Sequence, residues 1–246
     1  MDKSDYIFGI RPVMEALESG RSIDKILIKR ELSGEIVKDL LAKAREYDIP
    51  VQKVPNEKLN RITMKNHQGV IAISCPVRYH DLDNIMASVY ESGKTPLAVI
   101  LDGVTDAGNF GAIARSCECA GADFIVIPEK GSASVTSDSV RASAGALLHL
   151  PVSRVKDLRS AVNRLRENGY KIVGASEKGA KNYTDVDYTV PVVIVMGSEN
   201  TGISNDILRL ADDLAAIPIN GKVGSLNVSV ACGVFLYEVV RQRTNM

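Results

Sequence analysis

The residues best suited to chemistry lie in three segments where polar side chains stand among glycines. The first, 101–115, leads from an apolar run into a helical pattern and carries Asn109 and Arg115. Turns at the carboxyl ends of parallel strands are where ligands bind in open α/β sheets. The segment has neither G-x-G-x-x-G nor G-K-[ST], which disfavours a Rossmann dinucleotide site and a P-loop. Taken alone, it is as typical of a tight turn followed by a solvated arginine.

The second segment, 195–204, also follows an apolar run and holds Glu199 between Gly197 and Gly202. Glycines allow a ligand to approach the backbone closely, because no side chain stands in the way. The structural alternative is a surface turn in which Ser204 caps the next helix.

The third segment, 217–231, alternates polar with apolar residues just before a hydrophobic helical pattern. Its polar side chains are Ser225, Asn227 and Ser229. Because a helix has one N-cap position, these three residues cannot all be caps. We therefore expect at least some of them to have a role other than capping. Capping by Ser225 or Asn227 alone stays open as the alternative.

These segments must be positioned by an α/β domain of apolar strands and amphipathic helices. Continuous apolar runs predict strands at 97–101, 124–127, 171–174 and 192–196. Helical patterns cover 111–120, 155–168 and 228–243. Apolar strands separated by helices indicate a parallel sheet covered on both faces.

Residues 1–76 form a smaller α/β pattern of their own. Pro12 near its start and Gly20 past its end predict a first helix. Strands are predicted at 26–28, 50–54 and 70–73. The second helix is predicted with Ser33 as its N-cap, Glu35 in its first turn and a core-facing series at helical spacing. That series is Ile36, Leu40, Leu41 and Ala44.

Between the two domains the composition becomes more polar. Residues 77–95 are interpreted as a linker with one helix around 82–90, which leaves 96–246 as the second domain. The first domain holds 13 Lys and Arg against 11 Asp and Glu, so it is not a strongly basic module. Its candidate phosphate contacts are Arg11, Lys25, Lys29, Arg30 and Lys65.

Composition narrows the other possibilities. The chain has 30 Lys and Arg against 30 Asp and Glu, so net charge does not indicate a nucleic-acid partner, although a neutral protein can carry a basic face. The cysteines form no C-x-x-C pair and the histidines lack ligand-like spacing, so we expect no metal. No signal peptide or membrane-length apolar run is found, and a soluble, cytoplasmic protein is expected.

In this order and spacing, the three segments resemble the three motifs of the SpoU/TrmH (SPOUT) family of RNA ribose 2′-O-methyltransferases. The matching residues are Asn109 to Arg115, Gly197 to Gly202 and Ser225 to Ala231. The stretch 143–152 is also similar to family sequences, and 6–13 and 67–70 resemble the small L30e-like RNA-binding domain of the ribosomal branch. Within the family, the chain is most similar to enzymes that methylate a guanosine of bacterial 23S rRNA.

The resemblance implies a trefoil knot in the C-terminal domain, a homodimer with its active site near the subunit interface, and S-adenosyl-L-methionine as cofactor. Gly197, Ile217 and Leu226 are the implied cofactor-binding residues. Arg115 is the implied catalytic residue, stabilising the forming alkoxide or holding an RNA phosphate. The other implied members of the polar site are Asn109, which orients Arg115 or the ribose, with Glu199, Ser225 and Asn227.

Three alternatives remain at this stage. The same chemistry could act on transfer RNA or another ribosomal position. A non-catalytic RNA-binding or ribosome-assembly protein could keep the scaffold, although the polar set of Asn109, Arg115, Glu199, Ser225 and Asn227 argues against it. A nicotinamide-dependent enzyme could use a doubly wound sheet, but the phosphate fingerprint is missing.

Overall fold

A computed structural model describes residues 6–244 of the chain. They divide into two compact units. The first contains residues up to Arg78 together with Ser134–Asp138, and the second contains Tyr79–Ala133 and the residues from Ser139 onward.

The first unit is built on a four-stranded sheet with helices between its strands. Its strand order is β1-β4-β2-β3, in which β2 and β3 are parallel and the other two pairs are antiparallel. Its elements are β1 (Tyr6–Phe8), α1 (Ile10–Glu18), β2 (Ile23–Lys29), α2 (Glu35–Glu46), β3 (Val51–Val54), α3 (Asn56–Ile62) and β4 (Val70–Ser74).

Two details of α2 differ from the sequence prediction. The residue before the helix is Gly34, at φ 130°, so Ser33 is not the N-cap. Only glycine adopts that backbone conformation without strain. Leu40 and Ala44 are fully buried as predicted, but Ile36 is exposed and Val37 takes its place in the core. With the helix starting at Glu35, the buried stripe passes through 37, 40 and 44.

The second unit is built on a seven-stranded sheet whose adjacent strands are all parallel, in the order β7-β6-β5-β10-β8-β11-β9. The elements in its first half are α4 (Leu82–Glu91), β5 (Leu97–Asp102), α5 (Ala107–Cys119), β6 (Phe124–Pro128), α6 (Ser137–Ala142) and β7 (Val152–Val155). The first two residues of α6 are grouped with the first unit. Those that follow are α7 (Leu158–Glu167), β8 (Lys171–Ala175), β9 (Lys181–Asn182), β10 (Val192–Gly197), α8 (Asn205–Leu208), β11 (Asp213–Ala216) and α9 (Val228–Thr244).

The four strands predicted from apolar runs are all present, and they include the strands that carry the first two polar segments. The predicted α/β architecture with a parallel sheet is confirmed. Helix α5 begins four residues earlier than predicted, because Asp106 caps it and its side chain accepts a hydrogen bond from Asn109 N. Val155 ends a strand, and α7 starts only at Leu158, after the cap Asp157.

The segment interpreted as a linker contains α4, which belongs to the second unit. One face of this helix is buried in a core shared with the sheet and α7. Asp81 caps its start by accepting hydrogen bonds from Asp83 N and Asn84 N. Across the described residues, 6–244, no helix has the length and apolar character required to span a membrane.

Candidate active site

The first two polar segments begin side by side because their strands are neighbours. Strands β5 and β10 pair in parallel, and their register puts Asp102 opposite Gly197. The first and second polar segments both leave the sheet at this edge. Asp102 Oδ2 accepts a hydrogen bond of 2.7 Å from Ser204 N, which fixes the far end of the second segment to the start of the first.

The second segment folds back tightly over the strand end. Ser198 N donates to Gly202 O at 3.1 Å, and Gly202 N donates to Ser198 O at 2.9 Å. Thr201 N donates to Ser198 Oγ at 3.0 Å. Gly202 itself has φ 69°, the left-handed conformation that a tight reversal requires. The predicted cap Ser204 does precede α8, but its side chain makes no capping hydrogen bond.

Close approach of this loop explains why position 197 is glycine. A Cβ atom there would lie 2.2 Å from both Gly202 C and Ile203 N, well inside van der Waals contact. The sequence suggests that Gly197 leaves room for a ligand. The structure gives a nearer cause, since the loop's own backbone occupies the space that a side chain would fill.

Asn109, Glu199 and Asn227, one residue from each polar segment, meet through their side chains in what we call the polar triad. Asn109 Nδ2 donates to Glu199 Oε1 at 3.0 Å. Asn227 Nδ2 donates to the same carboxylate oxygen at 2.8 Å and to Asn109 Oδ1 at 3.0 Å. The two amides thus hold one carboxylate oxygen, and hydrogen bonds to a charged acceptor are the stronger kind.

Each amide of the triad stands at the start of a helix. Asn109 lies in the first turn of α5, where its backbone N–H is held by Asp106 Oδ1 at 2.7 Å. Asn227 precedes α9, and its Oδ1 accepts from Ser229 N at 2.9 Å and from Ser229 Oγ at 2.6 Å. Asn227 therefore caps α9 with its oxygen while its nitrogen takes part in the triad.

A cleft of about 500 Å³ opens beside the triad. This volume is in the range of small-molecule binding sites. Its lining includes the residues inferred to hold cofactor and three of those inferred to form the polar site: Gly197, Ile217, Leu226, Glu199, Ser225 and Asn227. Apolar surface from Ala231 and Phe235 of α9 completes one side.

One wall of the cleft was not predicted from the sequence. It is formed by residues 175–178, directly after β8, including Glu177 and Lys178. A Cβ atom on Gly179 would lie 2.7 Å from the backbone of Ala215, so glycine allows this loop to pass close along β11. The apolar run of β8 and the glycine after it were the available sequence signals.

Arg115 is placed differently from the other inferred site residues. It is exposed on α5, six residues after Asn109, and is not among the described residues that line the cleft. Six residues along a helix correspond to a rise of about 9 Å and to a side-chain direction about 120° away. Within one chain, Arg115 therefore points to a different side of α5 from Asn109.

Helices α5 and α9 position these residues. A buried contact between cysteines holds the two helices together, and hydrogen bonds from Arg243, which we call the Arg243 clasp, hold the end of α9. Cys117 and Cys232 are both fully buried, and burial, with the neighbouring Cys232 side chain, raises the pKa of the Cys117 thiol well above its usual value. Arg243 donates hydrogen bonds to four backbone carbonyls: those of Thr95, Pro96, Tyr188 and Val190.

A second network on α9 surrounds Glu238, a buried carboxylate. Arg241 donates to both its oxygens, Nε to Oε2 at 2.8 Å and Nη2 to Oε1 at 2.6 Å. Gln242 Nε2 also donates to Oε1, at 2.8 Å. These hydrogen bonds, that of Arg241 first, lower the pKa of Glu238 below its usual value. Among the residues that the structure describes, no group of His, Cys, Asp and Glu side chains is arranged to hold a metal ion.

Comparison with known proteins gives the site its class. Residues 6–80 match a domain described as RNA 2′-O ribose methyltransferase substrate binding. Residues 96–237, which contain the cleft and the polar triad, match the SpoU rRNA methylase family. The fold and the site are those of an RNA methyltransferase. Because the second match covers more than half of the chain, the chain belongs to the SpoU rRNA methylase family.

Individual relatives agree over nearly the whole length. A protein of Staphylococcus haemolyticus assigned to the TrmH family of tRNA/rRNA methyltransferases is 38% identical over 237 residues, covering 96% of this chain and 95% of the relative. The crystal structure of the SpoU methyltransferase AviRb from Streptomyces viridochromogenes, in complex with AdoMet, is 31% identical with a TM-score of 0.62. It covers 98% of this chain and 91% of AviRb.

A shorter structural match is also found. The TrmH/SpoU tRNA modifying enzyme of A. aeolicus is 31% identical with a TM-score of 0.56. The alignment covers 67% of this chain and 85% of that enzyme.

Proposed function

We propose that this protein transfers a methyl group from S-adenosylmethionine to the ribose 2′-hydroxyl of a guanosine in 23S rRNA. The observation that carries the proposal is the polar triad at the edge of the cleft. Asn109, Glu199 and Asn227 come from three separated segments, yet they form one hydrogen-bonded group beside Gly197, Ile217 and Leu226. A scaffold that only binds RNA has no need for that group.

The residues around the cleft suit this cofactor. Ile217 and Leu226 offer apolar surface to an adenine, while the backbone of the loop at Gly197 offers hydrogen-bonding groups. S-adenosylmethionine supplies an activated methyl group on a sulfonium and a good leaving group. The protein must therefore position the hydroxyl and stabilise the negative charge that develops on its oxygen.

Arg115 supplies the positive charge in this proposal. A guanidinium stays protonated, so it acts by stabilising the developing alkoxide or by holding an RNA phosphate, and not as a base. Asn109 and Asn227 hold Glu199 in place, and Ser225 adds a hydroxyl at the rim of the cleft. Because Arg115 does not line the cleft of its own chain, we propose that it serves the cleft of a partner subunit.

Exposed apolar residues support the homodimer that this arrangement requires. Val223 is 75% exposed, and on α9 Val230 is 52% and Tyr237 55% exposed. Val230 and Tyr237 are seven residues apart, so they share one face of the helix. Apolar residues clustered on one exposed face are typical of a subunit interface. Val223 and Val230 lie in the third polar segment and Tyr237 follows it on α9, so pairing on this face would bring two sites together. The trefoil knot implied by the family stays a prediction.

Ribosomal RNA is preferred over transfer RNA as substrate for two reasons. The description of the family names rRNA, and the tRNA modifying enzyme of A. aeolicus aligns with only two thirds of this chain. This chain also has a separate folded unit that matches a substrate-binding domain. We propose that this unit selects the RNA, and that the second unit carries out the transfer.

Methyl transfer from labelled S-adenosylmethionine to 23S rRNA, 16S rRNA and tRNA tests the proposal, with the modified nucleotide mapped in each. We expect a single ribose-methylated guanosine in 23S rRNA. Arg115→Ala should abolish transfer and leave the Kd for S-adenosylmethionine nearly unchanged. Modification of tRNA alone would replace the substrate assignment, and calorimetric binding of NAD but not S-adenosylmethionine would overturn the reaction itself.

A further inference from the structure

The sheet of the first unit has two unequal faces. Helices α1 and α2 pack on one face and bury a large core, to which Ile7 of β1 contributes. The other face is covered by the seven-residue helix α3 through Leu59, over a smaller cluster. Side chains of a strand alternate between faces, so Tyr6 and Phe8 lie on this second face, where both are only half-buried.

Three exposed cations surround these two aromatic rings. Lys58 and Arg61 are three residues apart on α3 and so share one of its faces. With Tyr6 they line an open depression on the surface of the unit, and among the lining residues that the structure describes Glu57 is the acidic one. Lys65 lies just beyond α3, with its Nζ 5.3 Å from the centre of the Phe8 ring.

Charge is distributed differently on the opposite face. Helices α1 and α2 carry five acidic residues against four basic ones: Glu15, Glu18, Glu35, Asp39 and Glu46 against Arg11, Lys38, Lys43 and Arg45. Residues 56–66 carry three basic residues and one acidic residue. Residues 56–66 therefore carry a net positive charge beside the half-exposed aromatic rings, while α1 and α2 together carry a net negative charge.

We infer that the α3 surface, defined by Tyr6, Phe8, Lys58, Arg61 and Lys65, binds an unpaired stretch of the RNA substrate. Bases stack on aromatic rings only where they are not already stacked and paired in a helix, and proteins read RNA mainly at such unpaired nucleotides. The cations around the rings are placed to neutralise the phosphates that accompany the stacked bases. The inference rests on the proposed function, which makes RNA the substrate.

The chemistry of this surface favours RNA over a protein partner. The buried centre of a protein interface is depleted in charged residues. Here two aromatic rings stand among cations, and one ring already has a cation within cation–π distance. Lys65 was a candidate phosphate contact from sequence, whereas Lys58 and Arg61 were not recognised.

Binding of full-length protein to two RNAs of equal length, one single-stranded and one a fully paired hairpin, tests the inference by fluorescence anisotropy. Tyr6→Leu/Phe8→Leu removes the stacking rings but keeps apolar volume for the core beneath. It should weaken single-stranded binding about 5- to 150-fold for each base that stacks, and hairpin binding much less. Lys58→Ala/Arg61→Ala should make the negative slope of log K against log salt shallower by about 1.4.

The matched control is Lys38→Ala/Arg45→Ala, which removes the same number of charges from exposed positions on the opposite face. It should leave single-stranded affinity within about twofold of wild type, since neither residue is near the rings. Thermal unfolding of each variant confirms that it is folded. Lys65→Ala is a second test of the α3 surface, because it removes a cation and leaves both aromatic rings in place.

Failure of the inference and failure of the proposed function give different results. If the surface variants bind single-stranded RNA like wild type while wild type methylates RNA, the α3 surface is not the contact and the inference is wrong. Equal losses in the α2 control would also overturn it. If wild type transfers no methyl group to any RNA but the surface variants still lose single-stranded binding, the surface assignment stands and the reaction is wrong.

Discussion

Replacing Gly197 with alanine tests the geometry of the cofactor cleft most directly. The added Cβ would lie 2.2 Å from Gly202 C and Ile203 N and 2.6 Å from Gly202 O. Ordinary contact begins at about 3.4 Å, so the loop from 198 to 203 must move by about 1 Å or more. That movement strains or breaks the two backbone hydrogen bonds between Ser198 and Gly202.

The free-energy loss caused by Gly197→Ala follows from these contacts. Two backbone hydrogen bonds contribute about 0.5–1.5 kcal/mol each. Overpacking of a well-packed region costs about 1–3 kcal/mol. We therefore expect Gly197→Ala to lose about 2–6 kcal/mol, divided between the free energy of unfolding and the free energy of cofactor binding. If half falls on binding, the Kd for S-adenosylmethionine rises about 5- to 150-fold.

Gly224→Ala is the matched control. Gly224 lines the same cleft, but a Cβ atom there would meet no atom within 4 Å, and its φ is not in the left-handed region. Calorimetric titration with S-adenosylmethionine and thermal unfolding should show clear losses for Gly197→Ala and almost none for Gly224→Ala. An unchanged Kd together with an unchanged Tm for Gly197→Ala would refute the close packing of this loop.

Three further predictions concern α9. Arg243→Ala removes the donors to four backbone carbonyls. It should lower the free energy of unfolding, measured by denaturant titration, by about 2–4 kcal/mol. A loss below about 0.5 kcal/mol would contradict a stabilising role for these hydrogen bonds. The pKa of Glu238 is lowered, so its stabilising contribution is present above its unfolded pKa and disappears as pH falls through the folded value; Glu238→Gln should flatten this acid-side loss in Tm. Asn227→Asp keeps the oxygen that caps α9 but replaces the amide donor beside Glu199 with a negative charge. It should therefore lower kcat at least tenfold with little change in Tm, and wild-type kcat would contradict the triad.

Four strands of the second unit, β5, β6, β8 and β10, were predictable from their apolar runs. Burial on both faces of a parallel sheet demands such runs, and the predicted 192–196 differs from β10 only by one residue at its end. The short strands β7, β9 and β11 were not predicted, because they are four, two and four residues long and carry no comparable pattern. Helix starts were less predictable, as Gly34 shows in place of Ser33.

The polar segments were visible in sequence, but their meeting was not. Contact among Asn109, Glu199 and Asn227 depends on strand order, which places β5 beside β10, and on the path that brings α9 back to the same sheet edge. Sequence separations of 90 and 118 residues hold no local signal of that contact. The family resemblance supplied the grouping, and the structure supplies the hydrogen bonds.

Asn227 shows why helix capping and site building need not be alternatives. An asparagine side chain has an oxygen that accepts and a nitrogen that donates, and the two point in different directions. Asn227 Oδ1 accepts a hydrogen bond from Ser229 N at the start of α9, while Asn227 Nδ2 donates to Asn109 Oδ1 and to Glu199 Oε1. Serine at this position could cap α9 through its oxygen, but its single donor could not serve both partners. The local requirement of the helix and the requirement of the site therefore select the same residue, and a residue chosen for capping alone would leave Glu199 held by one amide instead of two.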